Sequence, residues 1–206
     1  ANGIDNSDEG DIILLEMQTQ ASYISGNAMY GPAELDPNVW TITKTATDAG
    51  VIVVAAAGNG NLDLDSSDYS TYSDYGDSGA VIVGAGSSDV LHDKMYFSTY
   101  GARVNIQGWG ENVFTTGYGY YSAIDNDVNQ EYTNSFNGTS SASPIVASAL
   151  AAIQDYVLSN GNEPLSPENI RQLIMDTGIA QGTGGNIGVF PDLANAIATL
   201  VDGCMD

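Results

Sequence analysis

The run Asn137-Gly138-Thr139-Ser140-Ser141-Ala142-Ser143-Pro144 has the residue types and spacing of a nucleophile site. Gly and Thr bring a serine to the point where a loop becomes a helix. Ala142 and Ser143 are small enough for close packing, and Pro144 suits a first helical turn, where no backbone donor is needed. The apolar stretch Ile145–Ile153 then predicts a buried helix. A hydroxyl at a helix N-terminus faces free N–H groups and the positive end of the dipole, which favours a reaction passing through an anion. The plainer alternative is a helix opened by a capping serine.

Two elements carry a family resemblance. Gly138-Thr139-Ser140-x-Ala142-x-Pro144 resembles the nucleophile motif of the subtilisin-like serine proteases. Val51–Ala57, followed by Gly58-Asn59-Gly60, resembles that family's strand ending in Ala-Gly-Asn, whose asparagine amide donates to the oxyanion. The resemblance implies that Ser140 is the nucleophile and Asn59 the oxyanion donor. It also implies that Ala57, Gly58 and the segment Glu16-Met17-Gln18 line the substrate site. In the family that segment reads Ser, a bulky residue and Gly. Gln18 in place of glycine puts a side chain where substrate backbone should approach, so either the chain is rerouted or the pocket differs.

The family also carries an aspartate motif and a His-Gly-Thr motif ahead of the asparagine, and neither occurs here. The one histidine, His92, follows Asn59 and lacks the Gly-Thr; it reads as an ordinary loop residue. A serine hydroxyl needs an adjacent base, and that base needs an orienting acid. Residues 1–206 are therefore expected to be the C-terminal portion of a peptidase domain, nearly inactive alone. The catalytic Asp and His would come from an upstream segment or another chain, docking at a bare sheet edge at residues 11–16. Two other readings are a non-catalytic binding module derived from a protease, and an unrelated serine hydrolase using His92.

The expected fold is α/β, a parallel sheet with helices on both faces, subtilisin-like and partial. Residues 11–15, 51–57 and 80–85 are continuous, β-branched and apolar, as strands buried on both faces are. Val104–Gln107 predicts a fourth strand. Helices are predicted at Pro37–Ala49, closed by Gly50, at about Ser140–Leu158, after the Ser166-Pro167 cap as far as Gly178, and at Pro191–Val201. Residues 61–79 read as a polar loop, and 110–136 as a hairpin. No repeat or domain linker interrupts the chain.

With 26 acidic residues against 4 basic ones, the net charge is −22. Such a surface repels nucleic acid and anionic membranes, and self-repulsion on this scale calls for screening by salt or cations. No apolar run approaches the about 18 residues of a membrane span, and the sequence opens at Ala1 without a signal peptide. A processed, secreted protein acting on polypeptides is the expectation. No cofactor is required. Asn59, Asn61, Asp63, Asp65 and Asp68 offer hard oxygen ligands, so structural calcium is one reading of that loop and a solvated acidic loop the other. Cys204 has no internal partner and reads as an inert thiol.

Overall fold

The computed structural model describes residues 3–24 and 27–203; Cys204 lies outside them. β1 (Ile12–Leu15) leads into an antiparallel hairpin of β2 (Gln18–Ile24) and β3 (Asn27–Pro32). Next come α1 (Pro37–Asp48), β4 (Ile52–Ala56), α2 (Ser70–Tyr75), β5 (Val81–Gly86) and β6 (Ile106–Trp109). β7 (Val113–Thr116), β8 (Ser122–Ala123) and β9 (Glu131–Phe136) form a separate small antiparallel sheet, with β9 in its middle. α3 (Thr139–Ser159), α4 (Pro167–Thr177) and α5 (Leu193–Gly203) close the chain.

β1, β4, β5 and β6 make one parallel sheet in the order β1-β4-β5-β6, with Leu15 beside Ala55 and Val54 beside Val81. Side-chain alternation sends Ile52, Val54, Val81 and Val83 to one face, where they meet Val146, Leu150 and Ile153 of α3 and Ile170 and Ile174 of α4. Val51, Val53, Ala55 and Ile82 face the other way, toward Ala46 of α1 and Tyr72 of α2. Both faces of β4 and β5 are therefore buried, which accounts for their unbroken apolar sequences. Among the described residues β1 is paired on one side only, so it forms the sheet edge.

Local chemistry sets the helix ends. Asp36 caps α1 by accepting from Asn38 N–H at 2.8 Å, Pro37 follows it, and Gly50 turns the chain away at φ +85°. Ser166 caps α4 in the same manner. α3, with 21 residues, is long and apolar enough by composition to span a membrane, contrary to the expectation from the sequence. Half of it is buried, and Val146, Leu150 and Ile153 lie against the central sheet.

Two expectations need correcting. Residues 110–136 are not a single hairpin: β9 pairs with β7 on one side and with β8 on the other, making three strands. Residues 61–79 are not only loop. Tyr69 at the start of α2 and Tyr72 and Tyr75 within it, three apart, pack on the sheet, with Leu62 and Leu64 buried beside them.

Behind the hairpin lies a charged network. Glu34, just past β3 and only 2% exposed, accepts from Tyr72 and Ser78 and pairs with Arg103 at 2.9 Å. Arg103 and Arg171 both reach Asp77. Burial drives the Tyr72 hydroxyl far up and raises Asp77 too, but at Asp77 the Arg171 hydrogen bonds and the Arg103 charge outweigh it, holding the carboxyl at about 2. An unfolded aspartate titrates near about 3.9, so Asp77 contributes stability that is complete above about pH 4 and lost as pH falls toward about 2. The group is half exposed and screened, so the contribution is expected to be about 1 kcal/mol or less. Asp77→Asn should therefore lower the urea midpoint at pH 7 and flatten its dependence between about pH 4 and 2; an unchanged acid slope would contradict this.

Candidate active site

Ser140 is the second residue of α3. Gly138 enters the helix at φ +99°, a backbone conformation that disfavours any side chain, and a Cβ there would lie 3.1 Å from Asn59 Nδ2. Thr139 then fastens the helix start to the end of β4. Its backbone N–H donates to Asn59 Oδ1 at 2.9 Å and its hydroxyl does so at 3.1 Å, while Gly58 N–H donates to the Thr139 hydroxyl at 3.1 Å. A backbone N–H can only donate, so the Asn59 atom facing it is the oxygen. The Nδ2 end of the carboxamide is left beside Gly138 and makes no hydrogen bond among the described residues.

The other predicted residues gather at the same place. Ala57 and Gly58 are buried, and Ala57 N–H donates to Val83 O. The Ser140 hydroxyl donates to the Glu16 carbonyl over a long 3.4 Å. Met17 is 60% exposed. Gln18 resolves the alternative left by the sequence: the chain is rerouted into β2, and the side chain turns back so that its Oε1 accepts from Asn59 N–H at 3.0 Å. β3 presses on this strand end closely. A Cβ on Gly58 would come within 2.7 Å of Gly31, and one on Gly60 within 2.3 Å of the Tyr30 carbonyl. Glu16, Phe114, Tyr118, Phe136, Ser141 and Pro144 are among the residues lining a groove of about 480 Å³ at the start of α3.

His92 serves elsewhere. It is buried, stacked on Phe190 at 4.5 Å, and held at φ +51°. The hydrogen bond of the Ser140 hydroxyl goes to Glu16 and not to this imidazole. The Asp-rich loop also departs from a metal site. Both Asp65 carboxylate oxygens accept from Ala102 N–H, Asp63 accepts from Asp65 N–H, and Asn61 accepts from Lys94. No group of three or more His, Cys, Asp or Glu converges on a common point among the described residues.

The profile of the Subtilase family matches residues 12–196. The chain belongs to the subtilase family. A subtilisin-like serine protease of Cochliobolus lunatus, Cur l 4.0101, is 38% identical to this subtilase over 116 residues, 56% of the chain and 19% of the relative. The major intracellular serine protease of Bacillus subtilis (strain 168) is 28% identical over 190 residues, 90% of the chain and 51% of the relative. The subtilase chain thus spans between a fifth and a half of these two relatives. Among solved structures, a cold adapted subtilisin-like serine proteinase superposes with a TM-score of 0.61 at 18% identity, over 92% of this chain and 58% of the other. A lanthipeptide protease does so with a TM-score of 0.63 at 14% identity, over 97% and 63%. These two likenesses establish the subtilase fold.

The sequence did not expose the part of Thr139, whose bonds to Asn59 span 80 residues, or of Gln18, which binds across 41. The fixed Thr before the serine was a signal for the first. For an exposed glutamine there was none.

Proposed function

We propose that this chain is the C-terminal portion of the catalytic domain of a subtilisin-like serine endopeptidase. The observation that carries the proposal is the clasp of Thr139 on Asn59 Oδ1, which leaves the amide nitrogen beside Gly138, two residues before Ser140. In this reading Ser140 Oγ attacks the peptide carbonyl. The resulting oxyanion accepts from Asn59 Nδ2 and from the Ser140 N–H, one of the first N–H groups of a helix and so without an intrahelical partner. Glu16, Met17, Gln18, Ala57 and Gly58 border the bound polypeptide.

The proton must go to an imidazole held by a carboxylate, which a segment outside this sequence supplies, pairing along the open edge of β1. Among the described residues, the Ser140 hydroxyl bonds only to the Glu16 carbonyl. No organic cofactor enters this chemistry. A charge of −22 suits an extracellular, salt-screened setting. The test is turnover of a peptide anilide by this chain together with the segment that precedes it, against this chain alone. Activity only in the first case supports the reading. Inactivity in both favours a binding module that uses the β1 edge to hold another protein.

A further inference from the structure

We infer that Gln18 is a positioning residue for the oxyanion donor: its carboxamide oxygen fixes the main chain of Asn59 and thereby the aim of Asn59 Nδ2. The inference rests on the endopeptidase reading above. Asn59 lies between two glycines on which β3 presses with no room for a Cβ, and the Gly58 carbonyl accepts from Thr99 N–H at 3.0 Å. The strand end is thus seated on the hairpin through Gly58 and Gly60. The residue between them is held by two hydrogen-bonded groups, its Oδ1 by Thr139 and its own N–H by Gln18.

These two attachments do different work. Thr139 fixes the end of the carboxamide, and Gln18 fixes the backbone from which it springs. An oxyanion donor is effective because it need not reorganise when charge develops. Freeing the Asn59 N–H to water lets the peptide unit at 59 rotate, so that Nδ2 pivots about the Oδ1 that Thr139 still holds. A glycine at position 18 could not supply this acceptor. Gln18 begins the rerouted strand, in register with Pro32, so the hairpin that crowds Gly58 and Gly60 also delivers the acceptor. Its side chain is exposed and makes one described hydrogen bond, so removing the acceptor should leave folding nearly untouched.

A double-mutant cycle on the protein with its preceding segment, assayed on a peptide anilide, tests this. Gln18→Met keeps the length and removes the acceptor. It is expected to lower kcat about 5–20-fold, more than it changes KM, because the lost interaction matters chiefly in the transition state. In an Asn59→Ala background the same change should cost less than about twofold, because the two residues act through one donor. The melting temperature should stay within about 2 °C of wild type. An unchanged kcat, an equal loss in both backgrounds, or a rise in KM alone would overturn the assignment while leaving Ser140 as nucleophile. Absence of any Ser140-dependent turnover in the parent protein would overturn the assignment and the endopeptidase reading together.

Discussion

Replacing Ser140 by alanine should lower kcat by about 10⁴–10⁶-fold in the protein that carries its base, with KM little changed. What survives is the residual acceleration that binding and the oxyanion donors give without a nucleophile, about 10³–10⁴ over water. The fold should not notice. The hydroxyl is half-buried and makes one long bond to the Glu16 carbonyl, so a melting temperature within about 2 °C of wild type is expected. Turnover that persists in Ser140→Ala would mean that another group performs the attack.

Asn59→Asp should produce the second largest loss, about 10³-fold or more in kcat. The substitution is chosen because it separates two functions of one side chain. A carboxylate keeps an acceptor for Thr139 N–H and the Thr139 hydroxyl, so the clasp between β4 and α3 can persist. It has no N–H to offer the oxyanion and places a negative charge where a second one must form. Asn59→Ala, by contrast, removes donor and clasp together, for about 10²–10³-fold in kcat plus about 1–2 kcal/mol of stability. Stopped assays of kcat and KM for both variants, with thermal melts alongside, read the difference. Equal activity of Asn59→Asp and wild type would remove Asn59 from the reaction.

The central sheet could be read from residues alone because burial on both faces forces a simple pattern. Ile52–Ala56 and Val81–Gly86 must be apolar at every position, and no other local structure of that length explains them as well. The start of α3 was legible for a related reason, since Gly, Thr, small residues and Pro each answer a steric demand at a helix entrance. The roles of Ser140 and Asn59 came from the family resemblance to those residues.

The hairpin β2–β3 left little trace, because it pairs polar residues such as Gln18 and Gln20 on an exposed surface where pattern is weak. α2 was hidden by its Asp- and Ser-rich surroundings, although Tyr72 and Tyr75 within it and Tyr69 just before it carried the helical spacing. The bonds that aim the site are long-range contacts between single side chains and single backbone groups, which no periodicity records. The same holds for the Glu34–Arg103–Asp77–Arg171 network, in which two of the chain's few cations are drawn to one place.

Mass spectrometry of the protein with its preceding segment, after reaction with a fluorophosphonate, tests the central claim most directly. An adduct on the peptide containing Ser140, lost in Ser140→Ala, is the predicted result. An adduct on a different residue of this chain, or none while the protein hydrolyses peptides, would contradict it.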